Sequence, residues 1–263
     1  MHLQRIEPDP RLARDVRCYR ARLADLGPRT VRRPLPARAD VILEFYFATP
    51  HLVEVQRTGE RERAPLAVVV GPQTHRRVDL ILSGRMDVFT VAFEPTGLHA
   101  LFRLPMSQLT DVALEADHLF SPLEAQSLYQ QLAEAPDLAA RAQIMDGALL
   151  QRLATLPPDP IALAVQRIQR DPVSAAIPAL AAGAGLSERQ FRRAFEARVG
   201  MAPKLYARIL RLNAALEAKA AAPATSWTEI AHQFGWFDHA HLDKDFLALA
   251  GASPSRSLTG GGA

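Results

Sequence analysis

Three residue pairs near the end of the chain share one offset: Phe195 and Phe246, Gly200 and Gly251, and Pro203 and Pro254 each lie 51 positions apart. An aromatic, a glycine and a proline recurring together at one spacing mean that a helical unit is used twice. In each copy a short helix runs into a glycine-containing turn and then into a second helix, the outline of a helix-turn-helix reader of DNA. Two such copies predict that one chain reads two grooves.

The rest of the chain sets limits on that reading. A length of 263 residues with 48% hydrophobic content is enough for two domains with real cores. Met1 to Pro10 is polar and lacks the apolar centre of a signal peptide, and no later run approaches the roughly 20 apolar residues that span a bilayer. The expected compartment is the cytoplasm, with no membrane partner. Cys18 is the single cysteine, which excludes an internal disulfide and any site of paired thiolates, and it reads as a small buried side chain. The formal charge of +3 says little by itself, so its distribution matters. Residues 161–263 carry 12 basic and 8 acidic side chains, whereas residues 1–160 carry 19 and 20. A modest basic excess in the repeated part fits basic groups gathered on a few helix faces.

Prolines divide the chain. Leu156-Pro157-Pro158-Asp159-Pro160 cannot continue a helix, because each proline lacks an amide donor and disfavours helical geometry in the residue before it. Ahead of it, Val41 to Ala48, His51 to Gln56, Leu66 to Val70, Val78 to Leu82 and Val88 to Phe93 are β-branched and aromatic runs that read as strands. Pro122 to Ala133 and Leu138 to Leu153 then place leucines at helical spacing and read as an antiparallel helix pair. These leucines suit either a dimer interface or the domain's own sheet. Beyond the prolines, Ile161 to about Ala250 is helical with glycine punctuation. The expected class is α+β: a β-rich sensor or dimerisation domain with its helix pair over 1–156, a linker at 157–160, an all-α domain of two helix-turn-helix units joined by a central helix over 161–258, and a disordered glycine-rich tail at 259–263.

In the first copy Ile177 to Ala182 forms the leading helix and Gly183-Ala184-Gly185 the turn, with Ser187 and Gln190 as a capping box on the second helix and Gly200 ending it. Phe191 and Phe195 face the core four residues apart. Arg189, Arg192 and Arg193 gather within about 100° on another face at helical periodicity. A guanidinium offers a planar fork of donors that pairs with guanine O6 and N7 or grips phosphate, so this face suits a major groove; a solvated charged face gives the same pattern. The third helix, opened by Pro203, places Leu205, Ile209, Leu212 and Leu216 as a buried stripe. It reads as a rod that fixes the separation of the two units at about 34 Å, one turn of B-DNA. Arg208 and Arg211 on that rod read either as phosphate contacts or as intramolecular ion pairs.

In the second copy Ser226 and Glu229 repeat the capping box, Gly235-Trp236-Phe237 makes the turn, and Asp238 caps the next helix. Leu242 and Phe246 take the places of Phe191 and Phe195, which leaves His239, Ala240, Asp243 and Lys244 toward DNA. Lys244 can neutralise phosphate, whereas an acid near the backbone costs affinity, so the second head is expected to bind more weakly. The run His239-Ala240-His241-Leu242-Asp243 begins a metal-ligand pattern, H-x-H-x-D, but the next residue is Lys244 and no histidine follows. No metal and no cofactor are expected by this ligand count, and His241 reads as packed on the inner face of the helix start.

At this point the sequence resembles the AraC/XylS family of bacterial transcription regulators over roughly residues 161 to 257. Gly185-Leu186-Ser187, Phe191-Arg192-Arg193-Ala194-Phe195, Val199-Gly200, Pro203, Tyr206 and Arg211 stand where the family's first motif has its equivalents. Trp227 to Ala231, Gly235-Trp236, Asp238, His241-Leu242, Lys244, Phe246, Gly251 and Ser253-Pro254 follow the second signature. Trp236 and Leu242 replace the usual phenylalanines, Lys244 replaces arginine, and Ser257 stands where an aromatic normally follows. The resemblance implies two helix-turn-helix units on a central helix and double-stranded DNA as partner. It assigns DNA contact to Ser187, Arg189, Arg192 and Arg193 in the first unit and to His239, Ala240, Asp243 and Lys244 in the second.

Gly71-Pro72-Gln73-Thr74 and the run Val88 to Gly97 resemble the β-rich sensor-like domain of some uncharacterised members. Such domains bind a small effector or dimerise, so an effector, a second copy of the chain and RNA polymerase are the further partners this implies, with effector residues unassigned. Phe45, Tyr46, Phe47 and His75 read either as pocket lining or as core. Two other functions compete: an enzyme with a catalytic first domain, and a regulator that takes no effector. For the enzyme there is no Gly-rich phosphate loop, no G-x-S-x-G elbow and no complete metal set.

Overall fold

The strand β3 (Val41–Tyr46) is a run of β-branched and aromatic residues around Glu44, and every one of its residues is buried. A strand hidden on both faces needs cover on both sides, and alternation of side chains sends successive residues to opposite covers. Val41, Leu43 and Phe45 join one core, Ile42 and Tyr46 another. The computed structural model describes residues 2–154 and 159–257.

Around β3 lie β1 (His2–Ile6), β2 (Val16–Pro34), β4 (Leu52–Val55), β5 (Arg61–Arg63), β6 (Ala67–Val70), β7 (Val78–Phe93) and, after the short α1 (Gly97–Phe102), β8 (Ala113–Glu115). All pairings are antiparallel, in the order β1-β2-β7-β3-β6-β8, with β4 and β5 continuing from the first half of β7. The sheet differs from the sequence expectation, which placed no strand at β1, β2, β5 or β8. Val78 to Leu82 and Val88 to Phe93 are one strand, β7, because β2 pairs with both halves and carries the chain through Ser83-Gly84-Arg85. The sequence reading placed no strand at β2, whose charges and Gly27-Pro28 mask its period; its register shifts between Asp25 and Thr30, where residues 26–29 bulge opposite Gly84.

The helices α2 (Pro122–Glu134) and α3 (Leu138–Leu150) start at Ser121 and Asp137, whose side chains accept from the amides of Glu124 and Ala140. Leu128, Leu132, Met145 and Leu149 are buried with Leu43, Phe45, Phe89 and Val91, so the helix pair covers its own sheet. Arg141 fixes the contact, donating to both carboxylate oxygens of Asp87 at 2.8 and 3.3 Å while lying 4.2 Å from the centre of the Phe47 ring. Phe45 and Phe47 therefore belong to packing.

Pro157 and Pro158 of the expected linker, and the tail at 259–263, lie outside the described residues. From Asp159, whose carboxylate accepts from the amide of Ile161, the chain is helical: α4 (Pro160–Arg170), α5 (Ile177–Gly183), α6 (Glu188–Val199), α7 (Pro203–Ala221), α8 (Trp227–Gln233), α9 (His239–Ala250) and α10 (Pro254–Ser257). Their core holds Phe191, Phe195, Tyr206, Ile209, Leu212, Trp236, Leu242 and Phe246, and it also takes Ala37 and Ala39 from the loop between β2 and β3. The two glycines of the repeat both dock on the sheet lobe. Gly200 and Gly251 end α6 and α9 at φ 85° and 68°, a left-handed conformation that glycine adopts without strain. Thr110 Oγ1 donates to the Gly200 carbonyl, and a side chain on Gly200 would sit 2.7 Å from Pro72. At Gly251 the neighbour is Arg76, 3.4 Å away on the same construction, and the Ala37 amide donates to Leu249 at 2.8 Å. Among the described residues no helix is long and apolar enough to cross a membrane.

Candidate nucleic-acid interface

In the first unit α5 and α6 are joined by residues 184–187, with Gly185 at φ 68°. Ser187 caps α6. Its Oγ accepts from the Gln190 amide and donates to Gln190 Oε1 at 2.7 Å, and the Ser187 amide donates back to that oxygen at 3.0 Å. The hydroxyl is thus engaged in holding the helix start. Phe191, Phe195 and Val199 are buried, and Arg189, Arg192 and Arg193 are exposed together on the opposite side, as the spacing predicted. Arg192 donates to Glu188 at 3.0 Å across one helical turn. Both partners are solvated, so the pair contributes only about 0.3–0.5 kcal/mol and yields readily to a better acceptor.

In the second unit α8 and α9 are joined by residues 234–238, one residue more than in the first. The two capping boxes consequently sit on non-equivalent helices: Ser187 caps the second helix of its unit, Ser226 the first helix of its own. The place of Ser187 is taken by Asp238, which accepts from the His241 amide at 2.7 Å. His239, Ala240 and Lys244 are exposed, and Asp243 is half-buried with an oxygen 3.6 Å from His239 Nε2. His241 is exposed, not packed inward, since the inward stripe runs through Leu242, Asp245, Phe246 and Leu249 and leaves the first turn open. Phe237, which sequence reasoning put in the turn without a role, is 87% exposed immediately before the cap of α9.

The rod α7 ties the second unit to itself. Ile209 and Leu212 are fully buried, Leu205 and Leu216 partly so, and Tyr206 and Ala215 complete the stripe. Arg208 donates to Asp245 at 2.7 and 3.1 Å, and the buried Trp236 Nε1 donates to the other oxygen of Asp245 at 2.9 Å. Arg211 stacks 4.4 Å over Trp236 and donates to the carbonyls of Phe234 and Gly235 at 3.0 Å each. Of the two readings open for these arginines, the intramolecular one holds. Asp245 is therefore the polar hinge pin of the second unit. Asp245→Leu leaves the Trp236 N–H without an acceptor and is expected to cost about 1–3 kcal/mol, read from urea unfolding followed by tryptophan fluorescence.

Residues 180–259 match a helix-turn-helix domain family, and residues 4–115 match a domain of unknown function, DUF6597. No curated protein has a sequence that matches the chain. Among solved structures, ToxT from Vibrio cholerae O395 is similar in fold at 9% identity and a TM-score of 0.50, covering 92% of this chain and 97% of that one. An apo ToxT variant from strain SCE256 is similar at 10% identity and a TM-score of 0.50, covering 97% and 99%. The chain thus carries an AraC-type helix-turn-helix domain behind a DUF6597 domain, the organisation of a DNA-binding transcription regulator.

Proposed function

We propose that α6 and α9 enter two successive major grooves on one side of the duplex, with α7 setting their separation, and that the sheet lobe over residues 1–156 governs this binding in response to a small effector. The exposed Arg189-Arg192-Arg193 face opposite the Phe191-Phe195 core supports the first part most directly. Arg189, Arg192 and Arg193 supply guanine and phosphate contacts, and His239, Ala240 and Lys244 form the weaker second face. Asp243 accepts from cytosine N4 or restrains His239, while Phe237 adds an apolar contact of the kind a thymine methyl group makes. Effector control finds support in the ToxT structure with a bound butenoic acid derivative, which shares this fold at a TM-score of 0.50.

The test begins with selection of bound fragments from the source genome, which yields the operator. Inserting about 5 base pairs between its half-sites turns the second half-site to the far side of the duplex. Affinity is expected to fall to that of the first unit alone. Lys244→Ala is expected to reduce the salt slope by about 1 with a smaller loss than Arg193→Ala. Binding that ignores the insertion would remove the two-groove reading.

A further inference from the structure

The face of the sheet that carries Ile42, Glu44 and Tyr46 does not close on a helix pair but on a cavity of about 810 Å³, within the range of small-ligand sites. Its far wall comes from the DNA-binding part: Asn213, Leu216 and Glu217 of α7. Inside it, most buried polar groups are satisfied. Glu44 accepts from Arg22, from the Tyr46 hydroxyl and from Thr90, and although burial pushes its carboxyl up, Arg22 and Tyr46 outweigh that and hold it below the usual range. Two groups are not satisfied. Arg38 and Gln73 face each other as a bridge in which each amide donates to the other's carbonyl, at 2.9 and 2.8 Å. Yet Arg38 Nε and Gln73 Oε1, both removed from solvent, have no hydrogen-bond partner among the described residues. Gln73 is only 6% exposed. A buried donor and a buried acceptor left unmet in one cavity cost free energy that a folded chain normally avoids.

Five arginines and five carboxylates line the cavity, so position and not net charge decides: Arg22 and Arg38 stand about the one buried carboxylate, Glu44. Burial pulls the Arg38 guanidinium below its ordinary value, so it gains from an anion. Asp40 at the rim is already paired with Arg17 at 2.9 Å, and burial keeps His51 below its ordinary value, which leaves it neutral. Glu217 from α7 and Glu62, both exposed, and Asp111, which accepts from Thr74, also line the cavity and disfavour an anion on their sides.

We infer that this cavity binds a small organic acid carrying a hydrogen-bond donor beside its carboxylate, with the carboxylate on Arg38 and the donor, a hydroxyl or an ammonium, on Gln73 Oε1. A guanidinium edge receives a carboxylate through two parallel hydrogen bonds, and an acceptor-only oxygen selects a ligand that donates. The cavity that would hold the acid is walled by both the sheet and the rod between the two reading units, so occupancy bears on how the two parts meet. The inference rests on the reading of the sheet lobe as a sensing domain. L-malate, L-aspartate and succinate share one four-carbon diacid skeleton and differ only in a hydroxyl, an ammonium or nothing at the carbon next to the carboxylate.

The experiment is thermal unfolding of the full-length protein in each acid against sodium chloride of equal ionic strength. Malate, aspartate or both are expected to raise the midpoint by about 5 °C near saturation, succinate by much less, and the pair decides between hydroxyl and ammonium. Arg38→Met is expected to abolish the shift. Gln73→Leu is expected to abolish the preference over succinate, and it carries the test if the Arg38 variant does not fold. A midpoint that follows only ionic strength, a shift undiminished in Arg38→Met, or an unchanged preference in Gln73→Leu overturns the inference. Fluorescence anisotropy with duplex DNA on the same preparation separates the two proposals: a protein that binds DNA and ignores all three acids sinks this one alone.

Discussion

Replacing Phe195 by alanine is expected to destabilise the helical part by about 3–5 kcal/mol, the range for removing a fully buried aromatic ring from a core. The ring is 0% exposed and sits where α6 packs on α7, with its centre 5.8 Å from that of Phe191 and 5.6 Å from that of Tyr206, edge to face. Alanine leaves a void that α7 cannot fill, because Tyr206, Ile209 and Leu212 are themselves fully buried and fixed by other contacts. Phe195→Leu is expected to recover much of the loss by restoring volume. Phe237→Ala is the contrasting case: at 87% exposure it should leave stability within about 0.5 kcal/mol. Urea unfolding of the three variants decides the matter, and a Phe195→Ala variant as stable as Phe237→Ala would show that the repeat does not mark the core.

The double substitution Arg192→Ala, Arg193→Ala is expected to weaken operator binding by about 2–6 kcal/mol, roughly 30-fold to a few times 10⁴-fold, if each guanidinium makes a base contact worth about 1–3 kcal/mol. The residues are adjacent, so their losses couple and a cycle with the single variants is needed to apportion them. Folding should be spared. Both side chains are exposed, and the one ion pair removed, Arg192 with Glu188, is solvated. Anisotropy titration with the selected operator measures the loss, and thermal melting of the free variant controls for folding. Undiminished affinity in a folded double variant would move the reading face elsewhere on the molecule.

The helical half was the more legible part of the sequence. Its bounds are written locally: Ser187 with Gln190, Ser226 with Glu229, Asp238, Gly200 and Gly251 each act within one turn of where they stand. The arginine face followed from period alone. What local pattern could not supply was partnership across distance. Arg208 and Arg211 could be read either way until Asp245 and the carbonyls of Phe234 and Gly235 were seen to hold them, 37, 23 and 24 residues away. His241 misled for a similar reason, since which face of a helix start is covered depends on its neighbours. In the sheet, β2 escaped notice because a strand paired along its whole length with one partner tolerates charges on its open side, and charges erase the alternation by which strands are found. Of the aromatic cluster, Tyr46 lines the cavity while Phe45 and Phe47 pack under the helices, a split that follows from strand alternation once both faces have an occupant.

Duplication gave the chain two equal helix stops, but it did not give them equal neighbours. At the first, the sheet lobe meets the turn through the ring of Pro72 and a hydroxyl on its carbonyl, whereas at the second it lays Arg76, itself held by Asp79, against the glycine and bonds backbone to backbone from Ala37 to Leu249. The two stops are therefore tied to different loops of the sheet lobe, those around residues 72 and 110 at α6 and those around residues 37 and 76 at α9, so a shift in one loop bears on one module without passing through the other.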